Sequence, residues 1–144
     1  MAQFHFSLER VLRWRSLELA SQGAKLELLL REQLRLQTIR ADLSTEKSKL
    51  DRSLDTLPDL RGADLRALSA HSLSLKRQAD NLVKLLAKCD RDLSEQKKSY
   101  RAAKQRVRLL EELRARKLEE WRQEQAREQE TLATESFLAV WNRD

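Results

Sequence analysis

Two long stretches of leucine, spaced alternately three and four residues apart, constrain this chain more than any other feature. In the first stretch, one row of heptad positions is Leu8, Arg15, Gln22, Leu29, Leu36, Leu43, Leu50 and Leu57. The other row is Leu12, Leu19, Leu26, Gln33, Arg40, Lys47 and Leu54. Such a narrow apolar stripe on a helix needs a partner helix to cover it. The pattern predicts a first helix over about residues 7–57, with Ser7 as its N-cap.

A second stretch of the same kind begins at Leu65. Its rows are Leu65, Ser72, Ala79, Leu86, Leu93, Tyr100, Val107 and Leu68, Leu75, Leu82, Cys89, Gln96, Ala103, Leu110. The strongest helix break in the chain separates the two stretches. Pro58 disfavours helix in the residue before it, and Gly62 provides a flexible backbone. We therefore predict a turn at about 58–63 and a second helix over about residues 64–140.

A short turn between two long amphipathic helices makes them antiparallel neighbours. Folding the chain at Gly62 places Leu36 opposite Leu86 and continues in register to Leu110. The second leucine pattern ends there, at the point where the first helix runs out. Residues from about Arg114 to Trp141 are therefore expected to extend beyond the paired region.

The composition agrees with this architecture. The chain is 36% charged and 5% aromatic, with one proline and two glycines, which is typical of long helices and coiled coils. The predicted fold class is all-α: an antiparallel two-helix coiled-coil hairpin with an overhanging C-terminal helix. One coiled-coil domain is expected over residues 1–144.

Five polar residues interrupt the leucine rows of the first helix: Arg15, Gln22, Gln33, Arg40 and Lys47. One interpretation is that they specify the register or direct their charged groups to water. The other is that they leave the contact weak, so that it can repack against a partner. Both interpretations predict modest stability.

Nothing in the sequence indicates catalysis. Gly23 and Gly62 are isolated, so there is no phosphate-binding loop, and His5 and His71 lie far apart without metal-ligand neighbours. Cys89 falls on the leucine stripe and is expected to behave as a small hydrophobic residue. We expect a non-catalytic protein with no cofactor and no bound metal.

Charge and hydropathy bear on location and partners. We expect no signal peptide, there is no run of about 18 apolar residues, and a single cysteine fits a reducing cytoplasm. The net charge is +6, and basic and acidic residues are interleaved along the chain. One basic stripe stands out: Lys97, Arg101, Lys104 and Arg108. Because Glu111 and Glu112 follow it, we do not expect nucleic-acid binding, and the stripe is either a solvated flank or a docking surface for an acidic protein.

The aromatic residues suggest a partner-binding tip. Trp14, Trp121 and Trp141 all fall at or beyond the end of the hairpin that carries both termini, together with Phe4, Phe6 and Phe137. Large aromatic side chains are frequent anchors at protein interfaces. The alternative is that they pack on the flanks of the two helices.

Residues 4–15, Phe-His-Phe-Ser-Leu-Glu-Arg-Val-Leu-Arg-Trp-Arg, resemble the N-terminus of the FliJ family of flagellar export proteins, which typically begins F-x-F-x-L-x-x-V-L-x-x-R. Residues 110–117 are similar to the family's L-E-x-L-x-x-R segment. Residues 128–135 resemble its E-Q-x-x-L-D-E ending, except that Thr134 stands where the family usually has Asp.

The resemblance implies a stalk similar to the γ subunit of rotary ATP synthases. FliJ proteins are thought to insert into the hexameric export ATPase, FliI, to contact the export gate protein FlhA and to handle export chaperones. On this chain the terminal end would enter the ATPase ring, with Arg10, Arg13, Arg122 and Arg127 as contacts, and the paired middle would face the gate.

The implied location is the cytoplasmic face of the inner membrane at the flagellar basal body, with peripheral membrane association only through the export apparatus. The implied role is in motility and flagellum assembly. Two alternatives stay open: the equivalent stalk of a virulence type III secretion system, and a generic coiled-coil scaffold or chaperone.

Overall fold

The computed structural model describes residues 2–56 and 62–143, and these form two helices. Helix α1 spans Glu9–Thr56 and helix α2 spans Gly62–Trp141. The described residues contain no strand. The structure therefore confirms the all-α class, with two long helices packed against each other as in a helical hairpin.

Helix α1 begins slightly later than expected. The N–H of Leu12 donates to the carbonyl of Leu8 at 2.9 Å, and the N–H of Glu9 donates to the carbonyl of Phe6 at 3.2 Å. Leu8 therefore stands at the N-cap position, one residue after the Ser7 that the sequence suggested. Glu9 then places its negative charge in the first helical turn, where the helix dipole favours it.

The predicted turn at about 58–63 lies mostly outside the described residues. Its last two residues, Gly62 and Ala63, are instead the first two residues of α2. The backbone of Gly62 is not left-handed. Glycine disfavours a helix interior because of its backbone entropy but is accepted at a helix start, and Asp64 follows in the first turn.

The chain divides into two compact units, and each contains part of both helices. The first unit comprises Met1–Ser21 and Arg101–Asp144, and the second comprises Gln22–Tyr100.

The core of the second unit is built from the leucine stripe. Leu36, Leu82, Cys89 and Leu93 are buried together. Half-buried residues pack around them: Leu26, Leu29, Ile39, Leu43 and Leu86. The cluster contains Leu36 with Leu86 and Leu29 with Leu93, as the expected pairing of the two stripes requires.

Polar contacts in the second unit connect the two helices. The side-chain amide of Gln96 donates to Gln22 twice, to its side-chain oxygen at 2.6 Å and to its backbone carbonyl at 3.0 Å. The amide of Gln33 donates to Asp90 at 2.9 Å. Position rises along α1 as it falls along α2, so the helices are antiparallel within this unit.

In the first unit, ion pairs connect the two helices. Nε of Arg114 lies 3.1 Å from Oε2 of Glu9, and Nη1 of Arg106 lies 3.4 Å from Oε1 of Glu18. The buried residues of this unit are Phe6, Ala103 and Val107 among those the structure describes. Here too the two helices are antiparallel.

Candidate partner-binding surfaces

The N-terminal segment before α1 is held on α2 by aromatic residues. The rings of Phe4 and Trp121 are 6.0 Å apart and tilted by 57°. Phe6 is only 8% exposed. The guanidinium of Arg114 lies 5.7 Å from the centre of the Phe4 ring, in addition to its ion pair with Glu9.

Half of the predicted aromatic tip is thus occupied by internal packing. Phe6 is buried, while Phe4 and Trp121 are half-buried, so these three hold the N-terminal segment in place. Between that segment and α2 lies a shallow pocket of about 220 Å³, with Glu120 and Glu124 beside Trp121. The role of Arg114 was missed in the sequence, although Arg114 occupies the heptad position that follows Val107 in the second stretch.

Trp14 remains accessible. Its side chain is 55% exposed, and the guanidinium of Arg15 lies 4.5 Å from the ring centre. Arg15 also pairs with Glu18 at 2.9 Å. Arg15, which interrupts the leucine row, is therefore satisfied by neighbours on its own helix.

The most exposed part of the first unit is the end of α2. Every residue from Ala126 to Arg143, here called the C-terminal segment, is exposed. Phe137 and Trp141 lie one helical turn apart with ring centres separated by 6.2 Å, and Trp141 is 71% exposed. Other exposed apolar side chains in the segment are Leu132, Leu138 and Val140. Such a cluster of exposed apolar side chains is characteristic of interaction sites.

The predicted basic contacts are all exposed. Four belong to the first unit and were expected to contact an ATPase: Arg10, Arg13, Arg122 and Arg127. The basic stripe is exposed too: Lys97 lies in the second unit, and Arg101, Lys104 and Arg108 lie in the first. Arg108 is paired with Glu112 at 3.2 Å, so part of its charge is neutralised along the helix.

The second unit contains an open groove between its helices, with a volume of about 580 Å³. Its apolar floor consists of Leu43, Leu50, Leu75, Leu82 and Leu86. Charged residues stand around this floor: Arg40, Lys47, Lys76 and Asp80. We refer to this feature as the groove.

The groove lies where several heptad positions of the two helices carry polar or small side chains in place of leucine. Arg40 and Lys47 occupy leucine positions of α1 but are exposed, so they do not fill the space between the helices. On α2, Ser72 and Ala79 occupy two heptad positions that line the groove, and both residues are small and exposed. The polar interruptions of the leucine rows indicated a weak contact between the helices here. The sequence alone does not distinguish an open groove from two helices in close contact.

Cys89 is a core residue of the second unit. Burial is the main cause that raises the pKa of its thiol, and the nearby charges of Asp90, Glu32 and Asp92 raise it further. Its Sγ lies 3.7 Å from the carbonyl of Leu29. Within the described residues, no group of His, Cys, Asp and Glu side chains is arranged to hold a metal ion.

No family model matches this chain, and no curated protein or solved structure shows significant similarity to it. In the described part of the chain, neither helix contains a stretch both long enough and apolar enough to cross a membrane.

Proposed function

We propose that this chain is a FliJ-type component of the flagellar type III export apparatus. In this role it is a non-catalytic stalk that binds the hexameric export ATPase and couples it to the export gate. The motif resemblance at the two ends of the chain suggests the family. The exposed C-terminal segment is the observation that carries the proposal, because a helix end with uncovered apolar side chains is suited to insertion into a partner.

The first unit provides the ATPase-binding end in this proposal. It contains both chain termini and the four exposed arginines Arg10, Arg13, Arg122 and Arg127. The C-terminal segment would enter the ring, and Phe137 and Trp141 would act as apolar anchors. Arginine and aromatic residues together are the side chains that most often dominate binding energy at interfaces.

The second unit would face the export gate and export chaperones. Its helices are joined through the leucine core, which suits a spacer, and its groove offers an accessible apolar surface. The chain itself catalyses nothing in this mechanism. It passes conformational change between two partners that it contacts at different places.

The test uses the purified export ATPase of the same bacterium, with binding, hexamer formation and ATP turnover measured as the full chain is added. We expect binding and an increase in both hexamer fraction and turnover. The double variant F137S/W141S should bind at least about tenfold more weakly, because it loses two exposed anchors. The matched control is L28S/L34S, which changes two exposed leucines of the second unit.

Two outcomes would contradict the proposal in different ways. No binding by the unaltered chain rejects the export-stalk function and leaves a generic scaffold. Binding that F137S/W141S does not weaken rejects the assignment of the C-terminal segment as the contact. Binding to the ATPase of an injection-type apparatus in preference to the flagellar one would favour the virulence stalk.

A further inference from the structure

We propose that the groove of the second unit binds the C-terminal segment of a second copy of this chain. This inference concerns self-association and does not rest on the proposed export function. It follows from two exposed surfaces that complement each other in polarity, charge and size.

The apolar surfaces match. The floor of the groove is formed by leucine side chains, among them Leu43 and Leu86, which are only half-buried. The C-terminal segment offers exposed apolar side chains on one side of a helix, with Phe137 65% exposed and Trp141 71% exposed. Docking the apolar side of a helix into an apolar groove is a common mode of protein recognition.

The charges match as well. Arg40, Lys47 and Lys76 stand around the groove against one acidic residue, Asp80. The C-terminal segment contains three acidic residues, Glu128, Glu130 and Glu135, and its two basic residues, Arg127 and Arg143, stand at its ends. A cationic rim facing an acidic helix steers the encounter and fixes the orientation of the bound segment.

The lengths are compatible. The α1 side of the groove extends from Arg40 to Leu50, which corresponds to about 15 Å of helix at 1.5 Å per residue. Phe137, Leu138 and Trp141 share one side of the segment and span about 6 Å by the same rise, which is within the length of the groove. One helix end therefore fits along one groove.

A contact between different surfaces on two copies has a distinct consequence. Each copy in the complex still has one free groove or one free segment, so association does not stop at a closed dimer unless the geometry forms a ring. Self-association should increase with protein concentration and decrease with salt, because the rim charges are solvent-exposed. It would also occupy the segment assigned above to the ATPase.

The experiment is a charge swap on the full chain, followed by sedimentation velocity over a wide concentration range at low salt. The unaltered chain should form concentration-dependent oligomers. The groove variant R40E/K47E and the segment variant E130K/E135K should each associate at least about tenfold more weakly. An equimolar mixture of these two variants should recover association, since the native groove of one variant meets the native segment of the other and the two reversed surfaces also carry opposite charges.

Matched controls separate this contact from general effects. K84E/K88E reverses two exposed charges of the second unit outside the groove and should associate like the unaltered chain. F137S/W141S should lose association, whereas L28S/L34S should retain it. Circular dichroism of every variant establishes that it remains helical.

Several results would overturn the proposal. These are a chain that stays monomeric at every concentration, charge-reversed variants that associate normally, and a mixture that does not recover association. If the sedimentation coefficient of a charge-reversed variant differs from that of the unaltered chain by the same amount at every concentration, the segment docks within one copy, and this result also rejects the proposal. No ATPase is present in the experiment, so its failure is distinct from failure of the proposed function.

Discussion

The two units of this molecule join the same pair of helices by different means. In the second unit a leucine core around Leu36 is crossed by the amide pair of Gln22 and Gln96. In the first unit the N-terminal residues leave the helix and cover α2 with aromatic rings, with Phe6 buried and Arg114 paired to Glu9.

The difference shows where binding surfaces arise in a molecule of this kind. Where both helices supply leucines, the apolar stripes cover each other and little remains for a partner. Where α1 supplies Arg40 and Lys47, the groove opens. Where the chain supplies no covering residue at all, from Ala126 onwards, the apolar side chains of α2 are exposed.

The largest expected effect is in the core of the second unit. Leu36→Ala removes a side chain that is 3% exposed and should lower the free energy of unfolding by about 2–4 kcal/mol. Urea unfolding followed by circular dichroism measures it. Leu34→Ala, two residues away and largely exposed, should change stability by less than about 0.5 kcal/mol. Equal effects for the two substitutions would contradict the assigned face of α1.

The next effect tests the aromatic packing of the first unit. Phe6→Ala uncovers the place where the N-terminal segment lies on α2 and should cost about 1–3 kcal/mol. Phe137→Ala should cost less than about 0.5 kcal/mol, because that ring is exposed. The same urea titration compares the two phenylalanines. A larger loss from Phe137 would mean that the C-terminal segment, and not the N-terminal one, is packed.

Removing the amide contact between Gln22 and Gln96 in the second unit should have a smaller effect on the free energy of unfolding. Gln96→Ala leaves Gln22 without its partner and should cost about 1 kcal/mol. The exposed Gln37 provides the control, and its alanine variant should be nearly neutral. A double variant of Gln22 and Gln96 that loses the sum of the two single effects would show that the pair is not coupled.

The ion pair of the first unit should contribute least. The Glu9 and Arg114 side chains are about two-fifths exposed, so solvent screens their attraction. A double-mutant cycle with Glu9→Gln and Arg114→Gln should give a coupling energy below about 1 kcal/mol that decreases with added salt. A coupling that increases with salt would exclude an electrostatic origin.

The heptad rows were sufficient to predict the two helices and the burial of Leu36, Leu93 and Cys89, because that burial follows directly from spacing. They were insufficient for the first unit. Phe4 and Phe6 lie before α1, so periodicity does not describe them, and their contact with Trp121 depends on how the chain enters the helix. The beginning of α2 at Gly62 was also misplaced, since glycine is compatible with both a turn and a first helical residue.

Of the candidate surfaces, some could also be predicted from the heptad rows and others could not. Exposure of the C-terminal segment followed from the end of the leucine rows at Leu110. The groove depended on whether Arg40 and Lys47 cover the space between the helices, and side-chain direction is not encoded in spacing. The burial of Phe6, counted in the sequence among the binding residues, required the three-dimensional path of the N-terminal segment.

Hydrogen exchange on the full chain, with and without the export ATPase, tests the central claim most directly. We propose that the first unit binds the ATPase through the C-terminal segment. At a protein concentration at which the chain is monomeric, the account predicts that the ATPase slows exchange in residues 126–143 and leaves the groove residues 40–50 unchanged. Slower exchange confined to residues 40–50, or no change anywhere, would contradict it.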